Sequence, residues 1–255
     1  MTAAPTLSMQ LYSGRNFPPV DDQLAAVQRA GFTTVETFGP FHDDVQATRR
    51  RFGQHRLSAR SGHFSIAMAE QEPERVLEAA RALGMEFVVI PYLPPQDRPT
   101  DRAGWVSVGQ RLAAIGARFG AEGLRVAWHN HDFEFTPLPD GSLPIEHVLG
   151  GEMLWEADLA WVVRGGAEPK QWLERYAGRT PLVHVKDIAR AGECAGEDGW
   201  ADVGAGVLPW AELWPLCLAA GAEVMIAEHD NPSDFARFAQ VSADAMRGYA
   251  KESAR

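Results

Sequence analysis

The sequence predicts an α/β protein built as a single domain over residues 1–255, a (β/α)8 TIM barrel, and three observations lead there. Eight short β-type runs recur along the chain, each followed by a helical pattern, with centres about 25 to 43 residues apart, as repeated strand–helix units require. Several runs are apolar without alternation, as in Phe87-Val88-Val89-Ile90, which suits parallel strands covered on both faces. No glycine-rich phosphate fingerprint follows any of the runs, which favours a closed barrel over a doubly wound sheet.

The runs are residues 7–12, 33–38, 57–64, 87–92, 124–131, 153–157, 180–185 and 224–227. Residues 21–30 read as a helix stopped by Gly31. Residues 72–83 put Val76, Leu77, Ala80 and Leu83 on one helical face and stop at Gly84. Residues 91–99 hold four prolines and read as a long loop; residues 102–119 read as a long helix ending at Gly120. Residues 169–177 and 209–220 each open with a proline, which fits a first helical turn, and end before Gly178 and Gly221. The glycine-rich, acidic stretch 189–206 is a loop after the seventh run, and Ser233 is the candidate N-cap of a last helix reaching about residue 250. Trp172, Trp210 and Trp214 on outer helices read as core; these apolar helices fit packing on the sheet and leave a homo-oligomer open.

Charge narrows the partners. Lys plus Arg total 24 and Asp plus Glu 34, a formal net charge of −10, which argues against sequence-independent nucleic-acid binding and against docking on an anionic membrane. The two cysteines, Cys194 and Cys217, form no CxxC pair and fit a reducing, cytoplasmic compartment. Residues 1–11 lack a basic segment followed by an apolar run, against a secretory signal, and no stretch approaches the about 18 apolar residues of a membrane span.

Barrel enzymes gather their chemistry at the C-terminal ends of the strands. Here the fifth run ends in His129-Asn130-His131-Asp132-Phe133-Glu134, the sixth in Glu156-Ala157-Asp158, the seventh in His184-Val185-Lys186-Asp187, and the eighth in Glu228-His229-Asp230; His63 ends the third. Four successive strand ends rich in His and carboxylate suit a divalent ion such as Mn²⁺, Co²⁺, Zn²⁺ or Mg²⁺. Alternation puts His129 and His131 on one face, and His184 and Lys186 on one face, with Asp187 turned away as a cap or a functional group. Glu36, ending the second run, either contacts substrate or braces the barrel; Trp161 and Trp200 either stack on a sugar or pack; His42 is a weaker candidate for the mouth, while His55 and His147 read as surface groups.

These residues resemble the sugar phosphate isomerase/epimerase superfamily, the xylose isomerase-like TIM barrels. The resemblance is carried by His129-Asn130-His131-Asp132-Phe133-Glu134-Phe135, Asp158-Leu159-Ala160-Trp161-Val162 with Gly165-Gly166, Gly178-Arg179, His184-Val185-Lys186-Asp187, Val203-Gly204-Ala205-Gly206 and Ala227-Glu228-His229-Asp230-Asn231-Pro232. It implies a divalent metal held by Asp158, His184 and Glu228. The commoner pattern on the fifth strand is Glu-Asn-His, with the Glu both ligand and base; here His129 stands in that place, and either His129 or Glu134 completes the set. The resemblance also makes His131, Lys186 and His63 substrate-contacting positions, with Glu228, His131 and Lys186 the catalytic candidates.

The expected activity is metal-dependent isomerisation or epimerisation of a sugar, ketosugar or cyclitol through an enediolate, with elimination by a dehydratase or a 3-keto-glycoside enzyme as the close variant. A nuclease of the endonuclease IV type would need a basic groove, which −10 opposes. A non-catalytic sugar-binding barrel would show a disrupted ligand set, and at least three of four positions are intact.

Overall fold

Alternate side chains on each strand face the barrel axis and the surrounding helices, so the apolar runs are buried from both sides. The structure is a computed structural model and describes residues 4–254; residues 1–3 of the N-terminal stretch lie outside it. Strands β1 (Thr6–Gln10), β2 (Thr34–Thr37), β3 (Ser58–His63), β4 (Phe87–Ile90), β5 (Arg125–His129), β6 (Leu154–Asp158) and β7 (Leu182–Val185) pair in parallel. An antiparallel hairpin follows, β8 (Asp187–Ile188) with β9 (Trp200–Ala201), and β10 (Val224–Ala227) closes the barrel between β7 and β1.

The outer layer comprises α1 (Val20–Arg29), α2 (Val45–His55), α3 (Ile66–Gln71), α4 (Pro73–Leu83), α5 (Arg102–Gly120), α6 (Pro144–Val148), α7 (Leu159–Arg164), α8 (Pro169–Arg175), α9 (Trp210–Ala220) and α10 (Phe235–Ser253). No helix among the described residues is long and apolar enough to cross a membrane. Trp172, Trp210 and Trp214 are buried, as core.

Several boundaries differ from those expected. The first and fifth runs stop early: Leu11–Gly14 winds into a 3₁₀ turn, and Asn130 and His131 leave the sheet. The sixth extends one residue to include Asp158. Asp234, not Ser233, caps α10, accepting the Arg237 N–H at 3.0 Å, while the Ser233 hydroxyl accepts from the Arg237 side chain. The 189–206 loop is ordered by Asp187. Its carboxylate accepts the backbone N–H groups of Ile188, Gly204, Gly206 and Leu208, so this residue is neither a helix cap nor a mouth group. Gly204 sits at φ 83°, and a Cβ at Gly206 would collide with the Asp187 carboxylate and the Ile188 carbonyl, which is why this turn needs both glycines.

Inside the barrel, Phe87, Val89, Ala127, Leu182, Val224 and Ile226 form a fully buried apolar plug. It carries the site on its upper face. Its lower face meets a ring of alternating charge: Arg60 pairs with Glu86 at 2.6 Å and approaches Glu223 at 3.9 Å, while Arg125 pairs with Glu223 at 2.6 Å and approaches Glu86 at 3.6 Å. Hydrogen bonds from Arg60 and Arg125 hold the Glu86 and Glu223 carboxyls, respectively, below the ordinary carboxylate range.

These groups are partly solvated, so Arg125→Met should cost only about 0.5–1 kcal/mol. Because the carboxyls are depressed in the folded state, their contribution is present above about pH 4.5 and disappears as pH falls through the lower folded values. Thermal melts should show a wild-type advantage at pH 7 that shrinks in about 1 M salt and vanishes in acid; an advantage unchanged by both would mean that Arg125 acts by packing alone.

Candidate metal centre

Parallel register lifts polar groups above the plug in two steps. On β6, Glu156 lies level with Leu182 of β7, and Asp158 level with His184; on β5, His129 lies level with Glu156. His184 is level with Ile226 of β10, so Glu228 and Lys186, each two residues further, rise one step above it on the same side. Glu36 enters from β2, level with Gln10.

In the upper step, His129, Asp158, His184 and Glu228 each present a ligand atom, all within 4.8 Å of one another, and all four residues are buried. His184 Nδ1 lies 2.9 Å from Glu228 Oε2 and 3.9 Å from Asp158 Oδ2. His129 Nδ1 is 3.2 Å from Glu156 Oε1 but off the line of a hydrogen bond, so this buried atom has no partner. Two imidazoles and two carboxylates match a borderline divalent ion, and the orphaned nitrogen is an available donor. This His/Asp/Glu cluster could hold a metal.

Asp158 does two jobs. Its Oδ1 accepts the Trp161 N–H at 2.9 Å and caps α7, leaving Oδ2 for the cluster. Asn130 steadies the same strand end, accepting from Trp155 and from the Asp158 N–H and donating to the Asp158 carbonyl.

Lys186 is fully buried. Its ammonium lies 3.0 Å from Glu228 Oε2, 3.4 Å from Asp158 Oδ2 and 2.6 Å from Asp230 Oδ2, over the faces of Trp161 at 5.1 Å and Trp200 at 4.5 Å. Burial opposes its charge, but the three carboxylates outweigh burial and hold it charged. Burial likewise opposes ionisation of Glu228, and the Lys186 and His184 charges overcome it, holding Glu228 well below the usual carboxylate range. Burial pushes Asp158 up to about 6.

His131 is packed at the rim between Tyr92 and Trp161, with ring centroids 5.1 and 5.2 Å away. Burial and the Lys186 charge lower its pKa to about 3, so it is a neutral and weak base rather than an imidazole titrating near neutrality. Glu134 is placed apart from the cluster. A 3₁₀ turn, Phe133–Phe135, folds it back so that its oxygens accept from the Trp128 indole at 3.0 Å and the His131 N–H at 2.9 Å, and burial raises it to about 8. His42 bonds Thr37 and stacks on Phe64, with its pKa lowered to about 3 chiefly by burial.

Sequence reasoning passed over Glu156, Gln10, Tyr92 and Asp230 as site residues. Glu156 was the most legible of these: a carboxylate inside a five-residue buried strand, two residues before Asp158 and so on the same face.

No family model matches the chain, and no curated protein matches it. Solved structures do resemble it. A sugar phosphate isomerase/epimerase from Parabacteroides distasonis is 19% identical, with a TM-score of 0.80 over 96% of this chain and 94% of that one. A xylose isomerase-like TIM barrel protein from Mycobacterium smegmatis, in complex with magnesium, is 15% identical, with a TM-score of 0.71 over 99% and 98%. A probable 3-DHS dehydratase from Bacillus anthracis is 12% identical, with a TM-score of 0.72 over 95% and 98%. At these identities the likeness is one of architecture: the chain has the (β/α)8 fold that proteins named sugar phosphate isomerase/epimerase and xylose isomerase-like TIM barrel share.

Proposed function

We propose that this protein is a metal-dependent isomerase or epimerase of a sugar, ketosugar or cyclitol. The observation that carries the reading is that Glu228 belongs at once to the four-residue donor cluster and to the Lys186 ion pair. His129, Asp158, His184 and Glu228 would hold the ion; a similar barrel from Mycobacterium smegmatis, solved in complex with magnesium, supports metal binding in this architecture. A divalent ion there supplies Lewis acidity that polarises a substrate carbonyl and makes the adjacent C–H acidic.

The chain's own groups do the rest. Glu228, kept ionised by Lys186 and His184, accepts the proton from the carbon next to the carbonyl. The Lys186 ammonium, fixed by three carboxylates and two indole faces, is held ready to stabilise negative charge developing on a substrate oxygen. Trp161 and Trp200, edge to face at 4.8 Å, keep water from that charge. Trp161 and Lys186 are the proposed substrate contacts, with His131 and Tyr92 at the rim; Glu36 and His63 lie a step below, on His184 and Glu156. His131 is the second proton-handling group: being neutral, it can return a proton only after receiving one. That weakness favours elimination as the second reading, since expelling a leaving group needs no strong second base.

Chelator-treated protein should gain thermal stability on addition of Mn²⁺, Co²⁺ or Zn²⁺, by about 2.7 kcal/mol at a hundredfold excess over Kd. Asp158→Ala should abolish the gain; no shift with any of the three ions would remove the basis of the reading.

Glu228→Gln should lower turnover about 10²–10⁴-fold while circular dichroism stays native. If more than a tenth of the rate survives with metal bound, Glu228 is a ligand only. In D₂O, a panel of ketosugars and cyclitol ketones should exchange the proton next to the carbonyl. Exchange accompanied by loss of water or of a glycosidic group, with no isomer formed, would select elimination.

A further inference from the structure

Beneath the first donor cluster lies a second, one step down toward the plug. His63 Nε2 is 2.8 Å from Glu156 Oε1 and 3.0 Å from Glu36 Oε1; His184 Nε2 is 2.8 Å from Glu36 Oε1 and 3.1 Å from Glu156 Oε1. These four contacts close a ring in which each nitrogen faces both oxygens. The two imidazoles are parallel within 6°, at a centroid separation of 5.6 Å. His184 thus shows opposite ring nitrogens to two clusters: Nδ1 upward to Glu228 and Nε2 downward to the ring.

We infer that the barrel holds a second divalent cation within the ring of Glu36, His63, Glu156 and His184, with the His184 imidazole bridging it to the first. This rests on the proposed upper site, which supplies the other half of the bridge.

Three observations point to a cation rather than to hydrogen bonding alone. The ring is compact: its edges run from 2.8 to 3.1 Å, so a small outward relaxation toward the donor separations of about 3.4 Å in a tetrahedral zinc site would let one ion touch all four corners. The second oxygens of Glu36 and Glu156 are buried and have no hydrogen-bond partner. His129, whose Nδ1 is also orphaned, lies 3.2 Å from Glu156 Oε1 and groups with His63, Glu156 and His184 as a possible metal set. The polar neighbour that competes is Gln10, whose amide donates to Glu36 Oε1 at 2.8 Å.

Charge gives the same answer. Once Nδ1 of His184 serves an ion above, the ring of His184 brings no positive charge to the lower step. Glu36 and Glu156 then face His63 as the one group able to offset them, in a layer sealed from water below by the plug. A divalent ion takes the place of the protons on His63 Nε2 and His184 Nε2, which leave to solvent; His184, ligated through both nitrogens, is then an imidazolate whose negative charge the two ions share, while the lower ion compensates Glu36 and Glu156. The lower site is therefore structural and electrostatic: it fixes the plane of His184 and sets how strongly that ring donates to the upper ion.

The test uses Zn²⁺ as the probe. Chelator-stripped full-length protein is dialysed against Zn²⁺ and its metal content measured, with circular dichroism to verify folding. Wild type should hold two Zn²⁺ per chain, Glu36→Gln and His63→Asn one each, and Glu228→Gln should keep the lower ion. One Zn²⁺ in wild type, lost with Asp158→Ala but indifferent to Glu36→Gln and His63→Asn, would overturn the second site and leave the proposed function standing. No Zn²⁺ in wild type would overturn both. Independently of any variant, wild type loaded with two equivalents of Mn²⁺ should show an exchange-broadened paramagnetic resonance spectrum. The sharp six-line signal of a single isolated ion, with the other free in solution, refutes the bridge.

Discussion

Buried negative charge at one end of the barrel is the constraint on which the site depends. Glu36, Glu156, Asp158, Glu228 and Asp230 converge above an apolar plug, and Lys186 is the one ammonium among them. Burying carboxylates is costly unless each finds a partner or a cation. The histidines, the lysine between two tryptophans, and the donor clusters are all answers to that constraint. The same strand register that stacks Leu182, Val224 and Ile226 into the plug raises the next inward residues on β7 and β10 into the charged layer.

Much of this was legible in the sequence because barrels obey period-two alternation. His184 and Lys186 share a face and do meet at one site; His129 and Asp158 are close enough to share a ligand set. What escaped was set by local turns and by polar composition. Nothing in the spacing of Glu134 says that a 3₁₀ turn will fold it back onto Trp128. Helix α2 was expected after the second run but without bounds, because only Val45, Thr48 and Phe52 of its eleven residues are buried, too few to make a clear stripe. Glu156 stood among the residues ending the sixth run but was given no role beside Asp158, and Gln10 lay inside the first run with nothing in its spacing to mark it, although both face the barrel interior at the site.

The mouth gains rigidity from elements without chemistry of their own. Asp187 organises the loop that carries Trp200, and Arg164 of α7 lies over the Trp200 ring at 3.2 Å. The tryptophan walls around Lys186 are therefore tied to helix α7 and to the loop ordered by Asp187, and the ammonium sits between two indole faces and three carboxylates. A lysine so held behaves as a fixed charge rather than a proton donor, since releasing its proton would strand three anions.

Asp158 has a consequence for which sequences can occupy this barrel. One oxygen ends a helix and the other faces the cluster, so the position is sieved by length and by charge together. Asparagine, serine or threonine could satisfy the Trp161 N–H but would bring no anion; glutamate would bring the anion but carries its oxygens one methylene too far for the cap. Drift at this position should thus be all but frozen, while Lys186, whose three partners come from two strands, has more ways to be replaced in concert with them.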